Sequence, residues 1–239
     1  MDGLALHIAD GVIGTPVAAG FAALAVGVMA VCLARGRADL DDRLAPMAGL
    51  VAAFVFAAQM LNFPVLPGVS GHLVGGALAA MLVGPWVAVL CVSVVLVVQA
   101  LVFADGGLTA LGLNITNLAL ASTAVAYLVI VVLLRVLPRT LTGLQVTAFV
   151  ASVVSVVVAA LAFVGQYWIG GGVELTAGLG EVLGTIAGVH VLIGIGEGLI
   201  TAVTVVTVAR VRPDLVYVLR GSRLAGAARP VPATRGGAA

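Results

Sequence analysis

Hydrophobic positions fall into seven runs, at about 12–34, 46–63, 72–84, 86–104, 114–134, 143–165 and 181–209, separated by short polar or Gly/Pro-bearing breaks. Most approach the ~20 apolar residues a helix needs to cross a hydrocarbon core. The third is shorter, about 20 Å if helical throughout. Pro64, Pro67, Gly68 and Gly71 bound it on one side and Gly84-Pro85 on the other. It reads as a tilted short helix or a partly re-entrant one, which needs protein or water over its freed backbone groups. The pattern predicts an all-α, polytopic membrane protein with a seven-helix transmembrane bundle. The membrane domain spans residues 1–212, and 213–239 is a flexible cytoplasmic tail rich in Gly, Ala, Pro and Arg, able to touch anionic lipid.

Composition agrees. The 239 residues are 62% hydrophobic and 9% charged, with a mean hydropathy of +1.27, whereas soluble domains carry roughly 25% charged residues. The net charge of +1 conceals an asymmetry: all eleven basic residues are arginines, confined to 35–43, 135–139 and 210–235. With seven spans and the N-terminus outside, every arginine falls on the inner side, in loops near 35–45 and 135–142 and in the C-terminal tail. The outer segments 1–11, 64–71, 105–113 and 166–180 contain none. The first run is expected to stay as a span, because arginines follow it and Asp2 and Asp10 precede it, unlike a cleavable signal.

Several classes drop out. The arginines are short flanks without interleaved aromatics, so no nucleic-acid partner is expected. Cys32 and Cys91 lie inside apolar runs and read as small buried residues. No Gly-rich phosphate loop ending in Lys-Ser/Thr occurs, so the chain is not expected to hydrolyse ATP or act as an enzyme. No convincing internal repeat marks an inverted-repeat transporter.

Candidate chemistry is sparse. His7 stands in His7-Ile8-Ala9-Asp10-Gly11 ahead of the first run, and His72 in Ser70-Gly71-His72-Leu73 ahead of the third. Both map to the outer face, and imidazole is a strong ligand for borderline transition metals. Each alone also reads as a solvated or capping histidine. His190 and Glu197 lie seven residues apart in the last run, on one helix face about 10 Å apart. They are ionisable groups at membrane depth, or a buried pair pinning neighbouring helices. Asn114 and Asn117 open the fifth run as helix caps or as supports for a site, and Asp105-Gly106-Gly107 before them is a turn. Small residues recur at Ala18/Ala22, Gly76/Ala80 and Gly180/Gly184/Gly188 through Gly194 and Gly198, at helix-packing intervals.

Taken together, His7-Ile-Ala-Asp-Gly11, Asn62-Phe-Pro-Val65, Gly71 to Ala80, Gly84-Pro-Trp86, Asp105 to Gly112 with Asn114 and Asn117, and His190 to Thr201 resemble the CbiM/NikM family. These are the substrate-binding membrane subunits of energy-coupling-factor transporters for cobalt and nickel. The strings cover residues 7 to 201 in family order. The resemblance implies that the ion is held by a terminal amine, the second residue's amide nitrogen and that residue's imidazole, here His7, with a fourth nitrogen from His72. Four in-plane nitrogens suit square-planar Ni(II)-like coordination. Asp10, Asn62, Asn114, Asn117, His190 and Glu197 are candidates to support the site. In the family the protein begins Met-His, whereas His7 is seventh here. The chelate is restored if Leu6 is encoded by an alternative start codon; otherwise His7 and His72 need another donor such as Asp10. The resemblance also implies transported Co(II) or Ni(II) with no permanently bound cofactor, residence in a bacterial or archaeal plasma membrane, and three partners. These are a CbiQ-like coupling protein, CbiO-like cytoplasmic ATPases and a small CbiN-like accessory membrane protein. The alternative is a subunit for an organic micronutrient or vitamin, in which the histidines are structural.

Overall fold

Proline and glycine cut the apolar runs into helices. The computed structural model describes residues 7–40, 44–66, 69–171 and 178–220. Helix α1 (Thr15–Gly36) has Pro16 in its first turn, where a missing N–H leaves no bond unmade, and Arg35 in its last, at the negative end of the helix dipole. Next come α2 (Leu44–Gln59), α3 (Gly76–Val83) and α4 (Pro85–Val102). Gly84 alone joins α3 to α4, with φ of +84°. Helix α5 (Leu111–Val136) widens into a π-helical stretch at Ile115–Ala121, where the Ser122 N–H reaches the Asn117 carbonyl five residues back. Helix α6 (Leu141–Gly170) is capped by Thr140, whose hydroxyl accepts from the Gly143 N–H at 3.1 Å. Helix α7 (Leu179–Val211) completes the set.

Among the described residues the helices follow the apolar runs, with two departures. Residues 62–66 and 69–72 are not helical: Asn62–Leu66 (β1) and Val69–His72 (β2) pair antiparallel, with Asn62 opposite His72. Pro64 can neither donate to a helix ladder nor let the residue before it stay helical, and a two-stranded edge tolerates it. The third run also shrinks to eight helical residues, about 12 Å. All eight residues of α3 are buried, and α2, α4, α5, α6 and α7 all pack against it. It is a central plug whose backbone is shielded by protein on every side, as a short helix inside a bilayer requires. Five helices, α1, α4, α5, α6 and α7, are long and apolar enough to cross a membrane, and α2 has 16 residues. This is a multi-pass membrane protein: Leu50, Leu128, Leu192 and Val203 stand exposed on the helices, as lipid-facing side chains do.

Small residues set the close approaches. A Cβ on Gly112 would run into the Ala22 backbone of α1, and one on Gly194 or Gly198 would press on Val153 or Phe149 of α6. Among the described residues nothing lies within 4 Å of a Cβ placed on Gly180, Gly184 or Gly188, so the close approaches of the α7 glycine row seen there fall in its second half. Cys32 and Cys91 are buried and unbridged.

The connections sort to two ends. At one, Ile13 bridges Gly171, the Gly14 N–H donates to the Gly170 carbonyl at 2.7 Å, and the Gly107 N–H donates to the Ile8 carbonyl at 2.9 Å. At the other, the Arg35 guanidinium lies 5.5 Å over the Trp86 ring, and the Tyr217 ring packs on Gly84, where a Cβ would come within 2.6 Å of it. Pro213–Leu215 and Tyr217–Leu219 form 3-10 turns with Pro213, Val216 and Leu219 buried. The stretch expected as a free tail from 213 is therefore packed through its apolar residues as far as 220. Residues 221–239 lie outside the described residues.

Candidate metal centre

The segment carrying His7 is stitched to the loop before α5. The Asn114 side chain makes both bonds of a backbone bridge: its Oδ1 accepts from the Ile8 N–H at 3.1 Å and its Nδ2 donates to the Ile8 carbonyl at 3.2 Å. Asp10 Oδ1 accepts from the Thr109 N–H at 2.8 Å and from the Thr109 hydroxyl at 2.5 Å. That hydroxyl, with neighbouring backbone N–H groups, holds the Asp10 carboxyl below the usual carboxylate range. Gly106 has φ of +90°, and a Cβ there would lie 2.8 Å from the His7 Cβ. A Cβ on Gly107 would collide with Asp10. The two glycines of Asp105-Gly106-Gly107 are thus required by the segment lying on them.

His72 arrives from the end of β2. Its Nδ1 lies 2.7 Å from the Leu73 carbonyl, which can only accept, so in the neutral ring Nδ1 carries the proton and Nε2 keeps its lone pair. Burial, and secondarily the neighbouring His7, lower the His72 pKa to about 3. Burial thereby favours the neutral imidazole, the form that binds metal. The His7 and His72 ring centroids are 4.5 Å apart with the planes inclined by 52°. His7 Nδ1 lies 3.3 Å from Asp105 Oδ1, and its buried Nε2 has no hydrogen-bond partner among the described residues. Both rings border a cavity of about 210 Å³ whose wall includes Asn114, Asn117, Phe163 and His190. Among the described residues, no group of three or more His, Cys, Asp or Glu side chains is placed to hold a metal. Two imidazoles are what the side chains offer, and further donors must be backbone groups, solvent or residues outside this set.

The supporting candidates separate. Asp10 is exposed and turned to Thr109 rather than to the imidazoles. Asn114 and Asn117 do not cap α5, which begins at Leu111. Asn114 holds the His7 segment, and Asn117 Nδ2 donates to Gln166 Oε1 of α6 at 2.8 Å across the cavity wall. Asn62 pairs with His72 through the strand backbone, and its side chain lies outside the described residues. His190 lines the cavity with Nδ1 2.8 Å from the Ile186 carbonyl one turn back. Glu197 is not its partner. That carboxyl accepts from the Val74 N–H at 2.5 Å and the Gly75 N–H at 3.1 Å, in the turn just after His72.

Three residues escape a reading of the sequence. Asp105 looks like a turn residue, Gln166 like an interfacial one at a helix end, and Gln59 like the polar end of an apolar run. The signal that could have found them is that each is a carboxylate or amide within a few residues of an arginine-free outer segment.

Residues 7–215 match the family described as cobalt uptake substrate-specific transmembrane region. A putative fused nickel transport protein of Archaeoglobus fulgidus is 40% identical over 211 residues, which cover 88% of this chain and 68% of that protein. A cobalt transport protein of Sorangium cellulosum is 32% identical over 225 residues, covering 92% and 98%. A crystal structure of a transition metal transporter superposes with a TM-score of 0.78 at 28% identity, covering 90% of this chain and all of that one.

Proposed function

This chain belongs to the CbiM family of cobalt uptake substrate-specific transmembrane proteins, and we propose that it captures Co(II) or Ni(II) for an energy-coupling-factor transporter, with His7 and His72 as donors. The observation that carries this is the 4.5 Å approach of two imidazoles 65 positions apart, at the bundle end where the arginine-free segments gather. The sparing of that end by positive charge supports an extracellular mouth, with the arginine-bearing end cytoplasmic and the seven helices threading the bilayer in that sense.

The two rings supply imidazole nitrogen donors, suited to divalent first-row ions. Beyond the two imidazoles, the further donors of this proposed site are main-chain nitrogens. A chelate through the His7 amide and imidazole closes its ring only through Nδ1, so loading by that route would take Nδ1 away from Asp105. The terminal amine required by that chelate depends on where the mature chain begins, and residues 1–6 lie outside the described residues. Transport then needs energy from elsewhere: a CbiQ-like coupling protein, CbiO-like ATPases and a CbiN-like accessory protein, with hydrolysis reorienting this subunit to release the ion inward.

Purified protein exposed to Co(II) or Ni(II) and desalted is expected to retain about one ion per chain, read by elemental analysis. Negligible loading with both ions contradicts the proposal. Metal-independent protection by an organic micronutrient would replace it with the vitamin reading.

A further inference from the structure

Glu197 is not among the residues lining the cavity, yet it grips the backbone directly behind one of the proposed donors. Its two carboxyl oxygens accept from the consecutive N–H groups of Val74 and Gly75, at 2.5 and 3.1 Å. From the opposite side, Gln59 Nε2 of α2 donates to the Val74 carbonyl at 2.9 Å. The Leu73 carbonyl takes the His72 Nδ1 at 2.7 Å. The three residues after His72 are thereby tied to α2, to α7 and to the His72 ring itself. Glu197 is 2% exposed and Gln59 fully buried, so water cannot substitute for either, and a donor left unpaired there carries its full desolvation penalty. Gly75 closes the turn at φ of +82° with Val55 pressed against it, so the turn has no slack.

Resting on the reading of His72 as an ion donor, we infer that Glu197 is a positioning residue for the metal site: α7 holds the turn that aims the His72 imidazole. The inference explains why a carboxyl group sits at membrane depth, where it is costly. Two consecutive N–H groups need two acceptors in one plane. A carboxyl group provides both, whereas an amide would set its NH2 against one of the donors. Helix α7 also carries His190, two turns earlier, to the cavity wall. The helix that braces the turn therefore also frames the space into which His72 points, and a displacement of α7 would reach the ion through Glu197.

The test is Glu197→Gln in the full chain. Three quantities are read: affinity for Ni(II) and Co(II) by titration, the visible d–d spectrum of the loaded protein, and thermal unfolding of the metal-free protein. Affinity is expected to fall about 10–100-fold, the range for groups that orient a ligand. The d–d band should move as the His72 ring leaves its alignment. A residue serving stability alone would lower the unfolding temperature and leave the affinity and band position of the folded fraction unchanged, and that result overturns the inference. If Glu197→Gln does not fold, Gln59→Leu decides: a displaced band supports the bracing of this turn and an unmoved one overturns it. A wild-type protein that binds neither ion removes the metal reading and this inference together. Binding by wild type with no change in the variants removes the inference alone.

Discussion

His72→Ala is expected to weaken binding of Ni(II) and Co(II) by more than about 100-fold, measured by titration of the purified protein. Groups that merely orient a ligand contribute about 10–100-fold, and removing a donor exceeds that. The fold should tolerate the change. The ring's one hydrogen bond is to the Leu73 carbonyl beside it, and the turn keeps its bonds to Glu197 and Gln59. Loss of binding with unaltered helix content and monodispersity is therefore the expected combination. Binding within a few-fold of wild type would exclude His72 as a donor.

Gly75→Ala is expected to damage stability most. Its φ of +82° strains any L side chain, a cost of about 1–3 kcal/mol. The added Cβ would also meet the Val55 methyls at 2.8 and 2.9 Å, and overpacking of that kind costs a further ~1–3 kcal/mol. Metal-free Gly75→Ala should unfold at clearly lower temperature in detergent. The Gly75→Ala/Val55→Ala pair should be less unstable than the sum of the single changes, because truncating Val55 relieves the clash but not the strain. Wild-type stability for Gly75→Ala would mean that the turn is not held as described.

That His7 and His72 share one end of the bundle was legible because charge fixes sides, whereas their meeting at one site was implied by the family resemblance. Once the arginines are counted to one face, both histidines must lie on the other. Helix positions were legible for a similar reason, since apolar runs of spanning length have few alternatives. The hairpin was not, because Phe63, Val65 and Leu66 extend the apolar run of α2 without a break in hydropathy, and only Pro64 marks the change. Glu197 stood out as a charged residue in an apolar helix, but its partners did not. They are backbone N–H groups 123 and 122 residues away, and nearly every residue has one. The alternative in which His190 and Glu197 form a buried pair rested on helical spacing alone, which places two residues on a face without saying what each meets. Asp105 was hidden by its two glycines. An Asp-Gly-Gly string signals a turn, while the need for those glycines comes from His7 and Asp10 lying on them.

The most direct test of the central claim is X-ray absorption of the Ni(II)-loaded protein. Two imidazoles in an all-nitrogen inner shell are expected, with the multiple-scattering signal reduced to one imidazole in His72→Ala and likewise in His7→Ala. A shell dominated by oxygen or sulfur, or an imidazole count unchanged by either substitution, would contradict the assignment of these two histidines as the ion's donors.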